Sequence, residues 1–187
     1  MKLLQLLPIG NVDEGLIVHM CPAMEAILGI PCKVLPDRVD PEFAFHRERQ
    51  QYHTSEILQR MQSLVNADTW RMLGIAVVDL YIPILTFVFG EAQMSGPCAV
   101  LSSHRLRQEF YGLPSDSELF RSRLIKEAVH ELGHTLNLPH CDDYHCVMAS
   151  SHSVEWIDLK DSALCESCRA AVMPMTRRGL AQNSQSV

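Results

Sequence analysis

The run Met72-Leu73-Gly74-Ile75-Ala76-Val77-Val78-Asp79-Leu80 is apolar almost without interruption. A strand exposed on one face alternates apolar with polar residues, whereas one covered on both faces reads as a continuous apolar run. Residues 72–80 are therefore read as the central strand of a sheet with helices on both sides. Working outward, residues 2–7, 32–35, 84–90 and 98–102 are read as further strands. Leu16, Ile17, Met20, Met24, Ile27 and Leu28 recur at helical spacing, with Gly29 as the stop. Pro22 inside that pattern implies a kink or a late start. Residues 37–51 are polar and mixed and are read as loop, after which Ile57, Leu58, Met61, Leu64 and Val65 form the face of a second helix. Ser115 and Glu118 have the spacing of a capping box. The helix they open carries Leu119, Leu124, Ala128 and Leu132 and is expected to run to about Leu136. Strands interleaved with helices imply an α/β protein with a mainly parallel sheet.

The chain has 187 residues, 47% apolar and 20% charged, which suits one domain or two small lobes sharing a cleft and excludes disorder for most of its length. Sixteen basic against 22 acidic residues give a net charge of −6, so nucleic acid is not an expected partner. No stretch approaches the roughly 20 apolar residues of a membrane span. The first seven residues faintly imitate a signal peptide. Their apolar run is short, holds Gln5 and meets Pro8 and Gly10, so it is read as a buried strand of a cytoplasmic protein. Residues 176–187 turn polar and are expected to be a loose tail.

Seven cysteines and nine histidines are the unusual counts. His130-Glu131-Leu132-Gly133-His134 falls near the end of the third helix. Residues four apart stack one turn along a helix, so both imidazoles can hold one ion. Glu131 is rotated about 100° from His130, beside the ion rather than on it, where a general base for an attacking water belongs. In an unbroken helix His140 would stand roughly 15 Å along the axis from His130. The chain must turn, and Asn137 and Pro139 provide for it: one tolerates the left-handed conformation and the other cannot continue a helix. His140 can then return as a third ligand, and three histidines with one open position make a catalytic zinc arrangement. Cys141, Cys146, Cys165 and Cys168 crowd into the residues that follow, which in a reducing compartment points to metal rather than to disulfides.

His130-Glu131-Leu132-Gly133-His134-Thr135-Leu136-Asn137-Leu138-Pro139-His140-Cys141 resembles the metzincin zinc peptidases, and the adjoining cysteines resemble the archaemetzincin family. That pattern continues here with Cys146-Val147-Met148 and the distant Cys165-Glu166-Ser167-Cys168. The resemblance extends upstream through Gln51-Tyr52-His53, Val78-Asp79-Leu80-Tyr81 and Phe87-Val88-Phe89-Gly90-Glu91-Ala92. It implies a metzincin-like fold: a mostly parallel twisted sheet with an antiparallel edge strand, helices that include the zinc-binding one, and a small zinc-stapled C-terminal lobe. It also implies peptidase or aminopeptidase activity on peptide or protein substrates, Met148 as an apolar floor under the histidines, and a strand at residues 86–90 that borders the cleft and pairs with extended peptide. Two positions depart from the pattern. Asn137 stands where the family has Gly, and Ser150 stands where some metzincins place a Tyr that assists at the metal, which leaves Tyr144 and His145 as substitutes or as ordinary exposed loop residues.

Cys141, Cys146, Cys165 and Cys168 would supply a closed, four-thiolate structural zinc. The 18 residues between Cys146 and Cys165 are too few for a core of their own, so this lobe needs a staple. Cys165 and Cys168 as a redox dithiol, or His145 in place of one thiolate, are the other readings of this cluster. The expected whole is one catalytic domain over residues 1–175, monomeric, with an N-terminal lobe of about 1–137, a C-terminal lobe of about 138–175, and two zinc ions. The rival is a two-zinc binding module whose histidine site is inert. Glu131 favours the enzyme, because a purely structural site has no use for it.

Overall fold

The computed structural model describes residues 1–184. In chain order the elements are β1 (Leu3–Ile9), α1 (Glu14–Leu28), β2 (Cys32–Val34), a 3₁₀ turn (Pro41–Ala44), β3 (Phe45–His46), β4 (Gln51–His53), α2 (Thr54–Gln62), β5 (Thr69–Ala76), β6 (Leu80–Tyr81), β7 (Gly90–Ala92), β8 (Cys98–Ser102), α3 (Ser117–Thr135), α4 (Val154–Leu159) and α5 (Glu166–Ser184). The main sheet has the order β2-β1-β5-β8-β7. Its first four strands are parallel, and β7 closes one edge antiparallel to β8. This is the expected α/β class with a mostly parallel sheet and an antiparallel edge strand. A second, small sheet joins β3, β4 and β6.

The alternation of strand side chains divides the core in two. Leu4, Leu6, Leu73, Ile75, Ala99 and Leu101 face α1 and α3, where Ile17, Met20, Met24, Leu124, Ala128 and Leu132 meet them. Leu7, Ile9, Met72, Ala76, Cys98 and Val100 face the other way, onto Ile57, Leu58 and Met61 of α2. Covering on both faces is why residues 72–76 read as continuously apolar.

The central strand nevertheless stops at Ala76 rather than at residue 80. Asp79 is the cause: a carboxylate cannot stay unpaired inside a sheet. It leaves the ladder to meet Arg105 at 2.6 and 2.7 Å and to accept from the Gln51 side chain at 2.9 Å. Leu80 then pairs with Tyr52 in the small sheet. Residues 84–90 are not a strand either. Pro83 occupies the second position of a turn closed by Leu85 N–H donating to the Ile82 carbonyl, Ile84 is exposed, and only Val88 makes an isolated bridge, to Leu80. Gly90 alone enters a strand.

Other boundaries moved for local reasons. α1 does not start late: Asp13 caps it by accepting from Gly15 N–H, and Gly29 ends it as expected, at φ 68°. Pro22 and Val18, whose carbonyl loses its donor, both lie on the exposed side. α2 ends at Gln62, and Leu64 and Val65 pack from the following loop. The presumed loop at 37–51 holds the 3₁₀ turn and β3, with Gln51 opening β4. The third helix is capped by Asp116 rather than Ser115, its carboxylate accepting from the N–H groups of Glu118 and Leu119. The expected tail from residue 176 continues α5 as far as Ser184, while residues 185–187 lie outside the described residues. Among the described residues no helix is long and apolar enough to cross a membrane.

Candidate active site

α3 lies across the sheet with its C-terminal half buried, His130 and Glu131 each at 5% exposure. The helix ends at Thr135 with Leu136 as its C-cap, and Asn137 takes φ 64°. Asn137 N–H donates to the His134 carbonyl at 2.9 Å, and Leu138 N–H to the Gly133 carbonyl at 3.0 Å, which satisfies the last helical carbonyls and reverses the chain. His140 thereby returns to the helix. The ligand atoms of His130, His134 and His140 lie within 4.8 Å of one another. The rings of His130 and His140 are stacked at 5.3 Å, and both stand edge-on to His134.

Hydrogen bonding assigns the tautomers. His130 Nδ1 meets the Val147 carbonyl at 2.8 Å, and His134 Nδ1 meets the Leu138 carbonyl at 2.7 Å. A carbonyl only accepts, so both Nδ1 atoms carry the proton. Both Nε2 atoms then present lone pairs to each other at 3.2 Å. Two facing lone pairs at that distance repel unless a cation stands against both, so the donor set fits a metal. Burial lowers the pKa of all three histidines, most strongly for His130, which keeps them neutral as ligation requires.

Glu131 points into the same cleft, a cavity of about 540 Å³ bordered on one side by residues 85–92 and on the other by α3 and by Ser150, Ser151 and His152. Its carboxylate packs against the backbone of Gly90, where a β-carbon would collide with Glu131 and with the Val100 carbonyl. Burial raises the Glu131 pKa well above the usual carboxylate value; Glu127 and Glu91 add to this, and Lys160 opposes it. A cation at the histidines would also oppose it.

Met148 is fully buried against α3 at Gly133, where a side chain would strike its sulfur. Cys141 N–H donates to the Met148 carbonyl at 3.0 Å, which ties this turn to the second cluster. There the sulfurs of Cys141, Cys146, Cys165 and Cys168 lie within 4.8 Å of one another, and Cys165 N–H reaches Cys146 Sγ at 3.3 Å. Cys21, Cys32 and Cys98 lie apart, in the core around the sheet. All eight singled-out residues are thus gathered, seven in two ligand clusters and Glu131 beside the first. Tyr144 and His145 are not: they stack on each other in a loop, Tyr144 being 60% exposed, and neither borders the cleft.

Sequence reading missed Glu91, Glu127, His152 and Lys160. Glu127 had a readable signal, since it stands one helical turn before both His130 and Glu131. Lys160 had none, because it reaches α3 only through the fold.

Residues 20–173 match peptidase family M54. The chain is 37% identical over 161 residues to the archaemetzincin of Methanocaldococcus jannaschii, covering 86% of this chain and 87% of that protein. It is 35% identical over 179 residues to the archaemetzincin of Thermococcus kodakarensis, covering 92% and 96%. Among solved structures it is similar to a zinc-dependent peptidase from Methanocorpusculum labreanum, at TM-score 0.83 and 28% identity over 90% of this chain and 99% of that one. It is also similar to the archaemetzincin of Archaeoglobus fulgidus complexed with malonate, at TM-score 0.78 and 34% identity over 91% and 99%. A family match over most of the sequence, on a fold shared with these structures, decides the matter: the chain belongs to peptidase family M54, the archaemetzincins, and is a zinc metallopeptidase.

Proposed function

We propose that this protein hydrolyses peptide bonds in the cleft between α3 and residues 85–92, with His130, His134 and His140 holding the catalytic zinc and Glu131 as general base. The observation that carries this is the pair of His130 and His134 Nε2 lone pairs at 3.2 Å with the Glu131 carboxylate in the same cleft. Zinc there would acidify water toward a pKa of about 7 and polarise the scissile carbonyl. Glu131 accepts the proton of the attacking water and passes it to the leaving amine nitrogen. The Val147 and Leu138 carbonyls hold two of the histidine rings in the tautomer that leaves Nε2 free. Met148 acts as the floor of a Met-turn.

A second zinc on Cys141, Cys146, Cys165 and Cys168 staples the C-terminal lobe. Cys141 follows His140 directly, so anchoring the cysteine also fixes the third histidine. Residues 1–175 then act as one catalytic domain with lobes of about 1–137 and 138–175. Thiols kept for metal suit a reducing compartment, the cytoplasm. Aminopeptidase specificity is the finer assignment, and a peptide library with free and blocked N-termini reads it directly.

Glu131→Gln tests the reading. It is expected to retain zinc and fold while losing about 10²–10⁴-fold in turnover of that library, measured with zinc content on the same samples. Unchanged turnover in the zinc-loaded variant would remove Glu131 from the mechanism.

A further inference from the structure

Beside His130 a lysine and a glutamate are buried together, Glu127 at the wall of the cleft and Lys160 behind it. Lys160 and Glu127 side chains are 1% and 3% exposed, with Nζ and Oε1 3.5 Å apart. Lys160 Nζ also donates to the Val147 carbonyl at 3.3 Å and lies 3.5 Å from His130 Nδ1. Two donors, the His130 ring N–H and the Lys160 ammonium, therefore converge on one carbonyl oxygen.

Such a pair is poorly explained by stability. Removing two charges from water costs about what their attraction returns, and apolar replacements of similar volume are often neutral or better. Nor is it needed to latch the C-terminal lobe. Arg123 grips Asp158 bidentately at 2.7 and 2.6 Å, and Lys126 donates to the carbonyls of Ile157 and Asp158. These bonds already hold the end of α4 against α3. What Lys160 adds is contact with the one carbonyl that orients His130.

The geometry points to Lys160, braced by Glu127, as a positioning residue that sets the His130 ring through the Val147 carbonyl. Lys160 reaches from the end of α4 to the segment just before Met148, and Glu127 fixes its ammonium from α3, one turn before His130. The three elements that must agree for His130 to face the metal are thus tied at one point. Partners in this position are worth about 10–100-fold in metal affinity.

This inference rests on His130 being a zinc ligand, and the experiment separates the two claims. Zinc affinity is measured by chelator competition on zinc-loaded full-length protein, with the cysteine cluster as internal reference and melting temperature recorded alongside. His130→Ala should lose the labile zinc. If it does not, the ligand assignment fails and this inference with it. Lys160→Met should bind the labile zinc about 10–100-fold more weakly with the cysteine zinc unchanged, and Lys160→Arg should recover part of the loss. Should Lys160→Met leave Glu127 too costly to bury, the double variant Lys160→Met/Glu127→Leu removes both charges. It is expected to fold at least as well as wild type and still bind the labile zinc weakly. Wild-type affinity in that double variant, with His130→Ala zinc-deficient, would reduce the pair to a structural role.

Discussion

The histidine and cysteine clusters meet at one peptide bond, between His140 and Cys141, yet they are built in opposite ways. The histidine cluster is organised by the fold: two of its histidines ride a 19-residue helix buried against the sheet, and backbone carbonyls hold their rings. The cysteine cluster draws on a loop and the start of α5, with only the six-residue α4 between Cys146 and Cys165. Its thiols pull against one another. Burial raises the pKa of Cys146 and Cys168, while Cys165 is lowered by the Cys168 backbone N–H. The histidines are held by a long helix and its turn; the cysteines are held by short segments with little packing of their own.

Complete demetallation is therefore the largest perturbation expected. Structural zinc is typically worth about 10–16 kcal/mol of apparent folding free energy. Graded chelation should release one ion early, with activity lost and circular dichroism unchanged, and a second later, with unfolding of residues after about 138. Release of both ions in one step, or a single ion per folded chain, would break the comparison.

A smaller version of that test replaces one sulfur. Cys165→Ser should lower the melting temperature well below that of Cys21→Ser, because on the proposed reading it removes a ligand of the staple while the other removes a half-buried thiol. Equal melting temperatures would mean the four cysteines hold no structural ion. Gly133→Ala probes the other cluster. A β-carbon there strikes the sulfur of Met148, so repacking costs about 1–3 kcal/mol. Since Met148 packs at Gly133, the residue before His134, labile zinc affinity should fall while the cysteine zinc holds. The reverse order of losses would place Met148 with the staple instead.

The same contrast explains what could be read from the residues alone. β8 was legible to the residue because Cys98–Ser102 is short, apolar up to its last residue and bounded by Pro97 and a polar turn. The return of His140 was legible because helical geometry forbids a straight path and Asn137 and Pro139 permit a bent one. Residues 84–90 misled because their apolar side chains are divided between solvent at Ile84, the cleft wall, and the core at Phe89, and periodicity cannot tell these apart. The end of the central strand was hidden in Asp79, whose partner Arg105 lies 26 residues on. Lys160 and Glu127 are 33 residues apart, and no local pattern marks a buried pair formed between α3 and the end of α4.

The smallest effect expected lies at the hinge between the clusters. Asn137 holds φ 64° without being glycine, a conformation that costs most residues about 1–2 kcal/mol and asparagine less. Asn137→Ala keeps a β-carbon and loses the polar side chain that eases this conformation, so it should cost about 1 kcal/mol, or about 2–4 °C in melting temperature for a chain of this size. Asn137→Gly relieves the remaining strain but enlarges the conformational freedom of the unfolded chain, and the two effects should nearly cancel. The pair of substitutions therefore separates strain from contact: exposed Asn137 makes no side-chain bond that glycine would fail to replace. A variant with alanine as stable as wild type would mean that the turn relaxes away from positive φ. In that case Leu138 could not keep its carbonyl on His134 Nδ1, and labile zinc affinity should fall even though the melting temperature does not.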